Sequence, residues 1–375
     1  MRDHRILHHH LDGIPYRKLV RTYHLSKDQL NRTVNQLTAQ LIRNNDLTAQ
    51  LRPTYADGIF LADGKAFRCK RLVVGPDGSV IKQKYPRGRT MVSLMHWASH
   101  DLPIIAFGES EDEVVWTNAF RQAKEHGLAI QYLVADDRRA CWNAALRVYP
   151  NVTIQSCHAH FLRDVEQKLA YRNIAQRIGK LEKQLDRLWT SVERPGFLIG
   201  KRKAVRIVNM ILEIERRSDF VRAFVWYLGQ LLASATVVEW DARWSFMTET
   251  WFPAYDRLAP DDPYRKKIQS IWRKVMRRRD ELFACLRFPE AIIPRTTNAL
   301  EGWHNQIELR DKSIRGFESP ETGDDYHNAL TIWRRFRRFT DCRGGFKHLN
   351  GQGPLEAAGV NCSAIRNWIL HCLKK

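Results

Sequence analysis

Short apolar runs and helical periodicities alternate along the first half of the chain. Ile59-Phe60-Leu61-Ala62 runs into Asp63 and Tyr132-Leu133-Val134-Ala135 runs into Asp136, and each reads as a buried strand ending in an acid. Between them, residues 89–99 (RTMVSLMHWAS) and 102–110 (LPIIAFGES) are separated by the polar break His100-Asp101; they predict a hairpin partner and a third strand. Residues 111–128 place Val114, Val115, Ala119, Ala123 and Leu128 at near-helical spacing, with Gly127 near the end, and predict a helix. A helix over 138–149, stopped by Pro150, and a strand over 151–161 follow. Strands that first meander and then alternate with helices predict an α/β sheet of mixed direction, flanked by helices.

The pattern then changes. From 165 to 290 it is helical throughout, and strand-like alternation almost vanishes. At the N-terminus, a helix over 15–23, a turn through His24 and Leu25, and a second helix capped by Ser26 have the form of a helix-turn-helix, with Lys27, Gln29, Asn31 and Arg32 on the candidate recognition helix. Paired short helices also serve as dimerisation devices. A loop, NNDLTAQLRPTYADG, is expected to lead into the sheet. The domains read from these patterns are 1–50 (helix-turn-helix-like), 55–164 (first part of the sheet domain), 165–290 (all-helical insertion), 291–342 (return to the sheet domain) and 343–375 (a tail of turns and a last helix).

Composition adds a partner. The chain has 61 Lys and Arg against 41 Asp and Glu, a net charge of +20. Such an excess fits a polyanion, bound with strong salt dependence. Basic stretches recur at Trp333-Arg334-Arg335-Phe336-Arg337-Arg338-Phe339 and over 264–283, where Arg273, Lys274, Arg277 and Arg278 are candidate DNA contacts on what is otherwise a solvated helix face. No run of about 18 apolar residues and no signal pattern is present, so the expectation is a soluble protein of the cytoplasm or nucleoid with no membrane partner. Seven cysteines without any C-x-x-C spacing fit reduced thiols, and Cys157, His158 and His160 lack the second ligand pair that structural zinc requires.

Three acids stand in separate settings: Asp63 in IFLADGKAF, Asp136 in QYLVADDRR and Glu301 in TTNALEGWHNQ. Carboxylates are what hard Mg²⁺ or Mn²⁺ prefers, and phosphodiester cleavage uses two such ions roughly 3.5–4 Å apart. Asn298 followed three residues later by Glu301 has the spacing of a helix cap and its partner, so a helix start can bring the third acid to two strand ends. Each acid also has a bland reading. Asp63-Gly64 is a hairpin-turn signal, Glu301 a capping residue, and Asp136-Asp137 a solvated strand end.

The order of elements resembles the RNase H-like core of DDE transposases and integrases, in the register of the Mutator-like group and its prokaryotic insertion-sequence relatives. The segments that carry the resemblance are LADGKAF, ADDRRACWNAALRVYP running into SCHAHFLRD, and TTNALEGWHNQIELRDKSIRGF. It implies an RNase H-like mixed sheet interrupted by a helical insertion that holds the transposon end. It further implies a transposase in which Asp63, Asp136 and Glu301 hold two Mg²⁺ or Mn²⁺ and act on double-stranded DNA, both inverted repeats and target, in a homo-oligomer. Asp137 is the alternative second acid; Asp136 is preferred because it ends the strand. Cys157 and His160 match a motif of those families and are expected to pack and hydrogen-bond beneath the site. Arg295, Asn298, Asn305 and the Arg315-Gly316-Phe317 turn match the surroundings of the final acid. The alternatives are a metal-dependent nuclease of the same core without strand transfer, and a non-enzymatic DNA-binding regulator.

Overall fold

The computed structural model describes residues 2–84, 87–189, 197–314, 316–365 and 367–374. It divides into two compact units, Met1–Gln155 with Ile293–Lys375, and Ser156–Ile292. Arg315 lies outside the described residues.

In chain order, four helices come first: α1 (Arg2–Leu11), α2 (Tyr16–Tyr23), α3 (Lys27–Gln40) and α4 (Asn44–Leu51). Strands β1 (Ile59–Arg68), β2 (Arg71–Val74), β3 (Val80–Lys84), β4 (Arg87–His96) and β5 (Ile104–Gly108) follow, then α5 (Glu113–Glu125), β6 (Tyr132–Ala135), α6 (Arg139–Val148) and β7 (Thr153–Ser156). The second unit is helical, with α7 (His158–Lys168), α8 (Tyr171–Trp189), α9 (Phe197–Leu232), α10 (Val237–Ser245), α11 (Phe252–Leu258), α12 (Arg265–Arg277), α13 (Arg279–Leu282) and α14 (Ala284–Arg287). The chain then returns to the first unit in α15 (Asn298–Ile314) and α16 (Pro320–Phe336).

The main sheet has the order β5-β4-β1-β6-β7. β1 pairs antiparallel with β4, which pairs antiparallel with β5, while β1 and β6 are parallel. This is the mixed α/β sheet that the pattern of strands and helices predicted. Phe60, Ala62, Leu133 and Ala135 point to one face, where Trp116 and Phe120 of α5 and Trp142 of α6 complete a buried core. Alternation along each strand sends Leu61, Asp63, Val134 and Asp136 to the other face.

Several expectations are corrected. Asp63 and Gly64 form no turn; they lie inside β1, opposite Ser93 and Val92 of β4. β1 continues to Arg68, because only its parallel pairing with β6 stops at Ala62–Ala135. The expected N-terminal loop contains α4: the Asn44 amide N–H donates to Asn328 Oδ1 at 2.8 Å and the Asn44 side chain to the Leu102 carbonyl at 2.8 Å, so tertiary partners satisfy its buried helix start. The strand expected over 151–161 ends at Ser156, since Cys157 occupies the cap position of α7. The helical region opens accordingly at His158 rather than near 165.

The two N-terminal helices read from sequence are present as α2 and α3, and the Ser26 hydroxyl accepts from the Gln29 N–H at 3.1 Å as expected of a cap. They are not a separate body. Leu30, Val34 and Leu37 of α3 are buried, and Trp333 of α16 donates its indole N–H to Asp12 at 2.9 Å. In the second unit, Phe161 and Val165 of α7, Phe224 and Leu228 of α9, and Ile268 and Trp272 of α12 share one apolar core.

Candidate active site

The register of β1 and β6 builds the site. Leu61 pairs with Val134, so two residues further on Asp63 and Asp136 emerge side by side on the same face. Their carboxylate oxygens lie within 4.8 Å of one another. Asp137 lies in the bend that follows β6.

α15 meets β1 through His304. His304 Nδ1 lies 3.2 Å from Asp63 Oδ2, with both groups largely buried. Glu301 is three residues earlier on the same helix face, so the bond from His304 carries the first turn of α15 toward the strand ends. Here the structure corrects the capping expectation. α15 starts at Asn298, and the Glu301 N–H donates to the Thr297 carbonyl at 2.9 Å, so Thr297 holds the cap position and Asn298 is already helical. Asn298 and Asn305 are exposed, at helical spacing with Glu301, and the half-buried Arg295 lies just ahead of the helix.

Two further groups were not anticipated. Arg138, which precedes α6, donates from Nε to Asp136 Oδ2 at 3.1 Å and from Nη1 to Glu111 Oε2 at 2.8 Å. Glu111 is a fourth acid, its side chain only 8% exposed. Burial above all, and then the charges of Asp136 and Asp63, push its carboxyl up to about 7 against the lowering pull of Arg138. Gly64 makes room for it, since a Cβ there would sit 2.4 Å from Glu111 Cδ. In the sequence Glu111 is one of several acids, Glu109, Asp112 and Glu113 among them, at or just before the start of α5, and local spacing does not single it out. His304 had a findable signal, the i, i+3 spacing from Glu301.

The other candidates stand on other elements. In the second unit Cys157 is buried, with Sγ 3.3 Å from His160 Nδ1, and His158 Nε2 lies 2.6 Å from the Leu282 carbonyl. Arg273 and Arg277 of α12 are exposed, and Lys274 lies over the Phe161 ring at 5.3 Å. Arg278 is corrected as a surface contact: it is 5% exposed and ends α12. On α3, Lys27 and Arg32 are exposed and Asn31 is half-buried, but Gln29 accepts the Ser26 N–H at 2.8 Å and so spends its amide oxygen on the cap.

Residues 101–187 match the family model described as Transposase, Mutator family. The similarity to that family rests on this segment alone, residues 101–187 of the 375. The matched stretch runs from the turn before β5 through α5, β6 with Asp136, α6 and β7 into α8. No curated protein matches the chain. Among the described residues, no helix is long and apolar enough to cross a membrane.

Proposed function

We propose that the chain is a DNA transposase of the DDE type, built on an RNase H-like core, in which Asp63, Asp136 and Glu301 form the catalytic triad. The observation that carries this reading is the pairing of Asp63 and Asp136 on one sheet face, with oxygens within 4.8 Å. Two half-buried carboxylates this close repel each other unless positive charge lies between or beside them. Arg138 supplies part of it, and an all-oxygen donor set fits Mg²⁺ or Mn²⁺. When bound, two such ions would activate water, then the freed 3′ hydroxyl, for attack on the phosphodiester.

The chain's own residues orient and neutralise. His304 fixes the direction of the Asp63 carboxylate, and the rigid sheet fixes its distance from Asp136. The Arg138 guanidinium, more than half exposed, is free to meet a phosphate while Glu111 anchors its other edge. Arg295, Asn298 and Asn305 are placed by sequence around Glu301 to contact the DNA backbone. Arg273, Lys274 and Arg277 of the second unit, and Lys27 and Arg32 of α3 in a helix-turn-helix role, are further phosphate contacts under this reading. Cutting two transposon ends together calls for a homo-oligomer, and the substrate places the protein at the nucleoid.

The test uses labelled duplex DNA carrying the element's own ends, in Mg²⁺ or Mn²⁺ and then in EDTA. Metal-dependent nicking at the repeat boundary should vanish in Asp136→Asn and in Glu301→Gln while binding persists, and should survive in Asp137→Asn. Loss of nicking in Asp137→Asn alone would move the second acid by one residue. Tight binding without cleavage by the wild type would favour the regulator.

A further inference from the structure

The basic run on α16 divides on folding. Arg335 turns inward, while Arg334 and Arg337 line a cavity of about 350 Å³ in the first unit, together with Trp303 and Arg310 of α15, Trp333 and Phe339. Arg337 lies over the Trp333 ring at 4.7 Å, and Arg334 lies over Phe339 at 4.5 Å and near Trp303 at 6.0 Å. Among the described residues no carboxylate forms an ion pair with Arg334 or Arg337, whereas Arg338 beside them pairs with Glu356 at 3.7 Å. The one acid on the cavity wall among those residues, Asp341, is exposed. Burial, with the neighbouring Arg337 charge, draws the Arg334 pKa down to about 10. Trp303 is 2% exposed, and its indole N–H has no hydrogen-bond partner among the described residues.

A half-buried guanidinium such as Arg334, without an acid partner among the described residues, is partly desolvated at a cost that an anion would relieve. Layered guanidinium and aromatic planes add a flat surface that a base can stack on. The cavity exceeds what a bare phosphate needs and falls within the ordinary range of ligand sites. A base inside a duplex has both faces already covered, so a base able to stack here must be unpaired. We propose that this cavity holds one unpaired nucleotide of a DNA strand, its phosphate on Arg334 and Arg337 and its base against the aromatic planes. The inference rests on the reading of the chain as DNA-binding.

The experiment is done in EDTA, so that it does not depend on cleavage. Full-length protein is titrated into a fluorescent single strand of about twelve nucleotides and into a duplex of equal length, then photocrosslinked to the same strand carrying 5-iododeoxyuridine. The Arg334→Gln/Arg337→Glu variant should bind the single strand about tenfold more weakly and the duplex nearly as well as wild type, with crosslinks falling on Trp303 or within 333–341. Arg337→Gln alone, at an exposed position, should show the same trend if the double variant melts early. Equal weakening on both DNAs, crosslinks elsewhere, or displacement by micromolar ATP without single-strand binding would each overturn the proposal. Absence of metal-dependent nicking by the wild type would count against the catalytic reading alone.

Discussion

His304 Nδ1 and Asp63 Oδ2 are 3.2 Å apart, joining a helix that begins at Asn298 to a strand that begins at Ile59. The contact fixes the carboxylate by its far oxygen and ties Glu301, one turn back, to the sheet. His304→Ala should therefore weaken metal binding and cleavage about 10- to 100-fold while leaving the fold intact. Mn²⁺ titration by calorimetry, beside single-turnover nicking rates, would check it; unchanged values in both would show that the pair is only a packing contact.

Gly64 faces the Glu111 carboxyl, with 2.4 Å between an added Cβ and Cδ. Gly64→Ala should cost about 1–3 kcal/mol, as overpacking usually does. Glu111→Ala should relieve it, giving a double-mutant cycle with a clear coupling. Chemical denaturation measures both; strict additivity would mean that Glu111 simply moves aside.

Arg335 donates from Nε and Nη2 to the two oxygens of Asp101, at 2.7 and 2.8 Å, with both side chains fully buried. Its Nη1 also donates to Thr48 Oγ1 at 2.8 Å, so one guanidinium links α4, the turn before β5 and α16. Removing one partner leaves a buried charge alone, so Asp101→Asn should cost about 3–5 kcal/mol. A denaturation midpoint close to wild type would contradict this.

His10 is buried between Tyr16 and Tyr326, and desolvation, followed by the charge of Arg310, draws its pKa down to about 4. The unfolded chain takes up a proton near 6.5 and the folded chain does not, so stability is lost as pH falls from 6.5 toward 4. At pH 5 the loss from this group is about 2 kcal/mol. His10→Leu should flatten that part of the acid limb in melting curves taken from pH 7 to 5. Parallel curves for the two proteins would rule the effect out.

Much of the sheet was legible because its signals are local. The apolar runs before Asp63 and Asp136, the period of α5 and the Pro150 stop each lie within a dozen residues. What misled was also local. Asp63-Gly64 carries the signature of a turn, but pairing with β4 keeps it extended, and the glycine answers to Glu111, distant in sequence. Asn298 has the cap spacing, yet Thr297 takes the cap. α4 has little amphipathic pattern, and only the buried Asn44 bonds hold its start.

The sequence by itself determined the succession from β4 through β5, α5, β6 and α6 to β7, though not α1, α4, β2 or β3, together with the polyanion partner that the +20 charge calls for and the three acids as candidates. Only the tertiary structure decided which acids meet. The β1–β6 pairing brings the Asp136 and Asp63 carboxylates within 4.8 Å, and Arg138 draws in Glu111, which nothing local distinguished. It also separated the arginines of one basic run, sending Arg335 to a buried carboxylate and Arg334 and Arg337 to an aromatic cavity. Charge and periodicity are written along the chain, whereas a partner is set by what folding brings alongside.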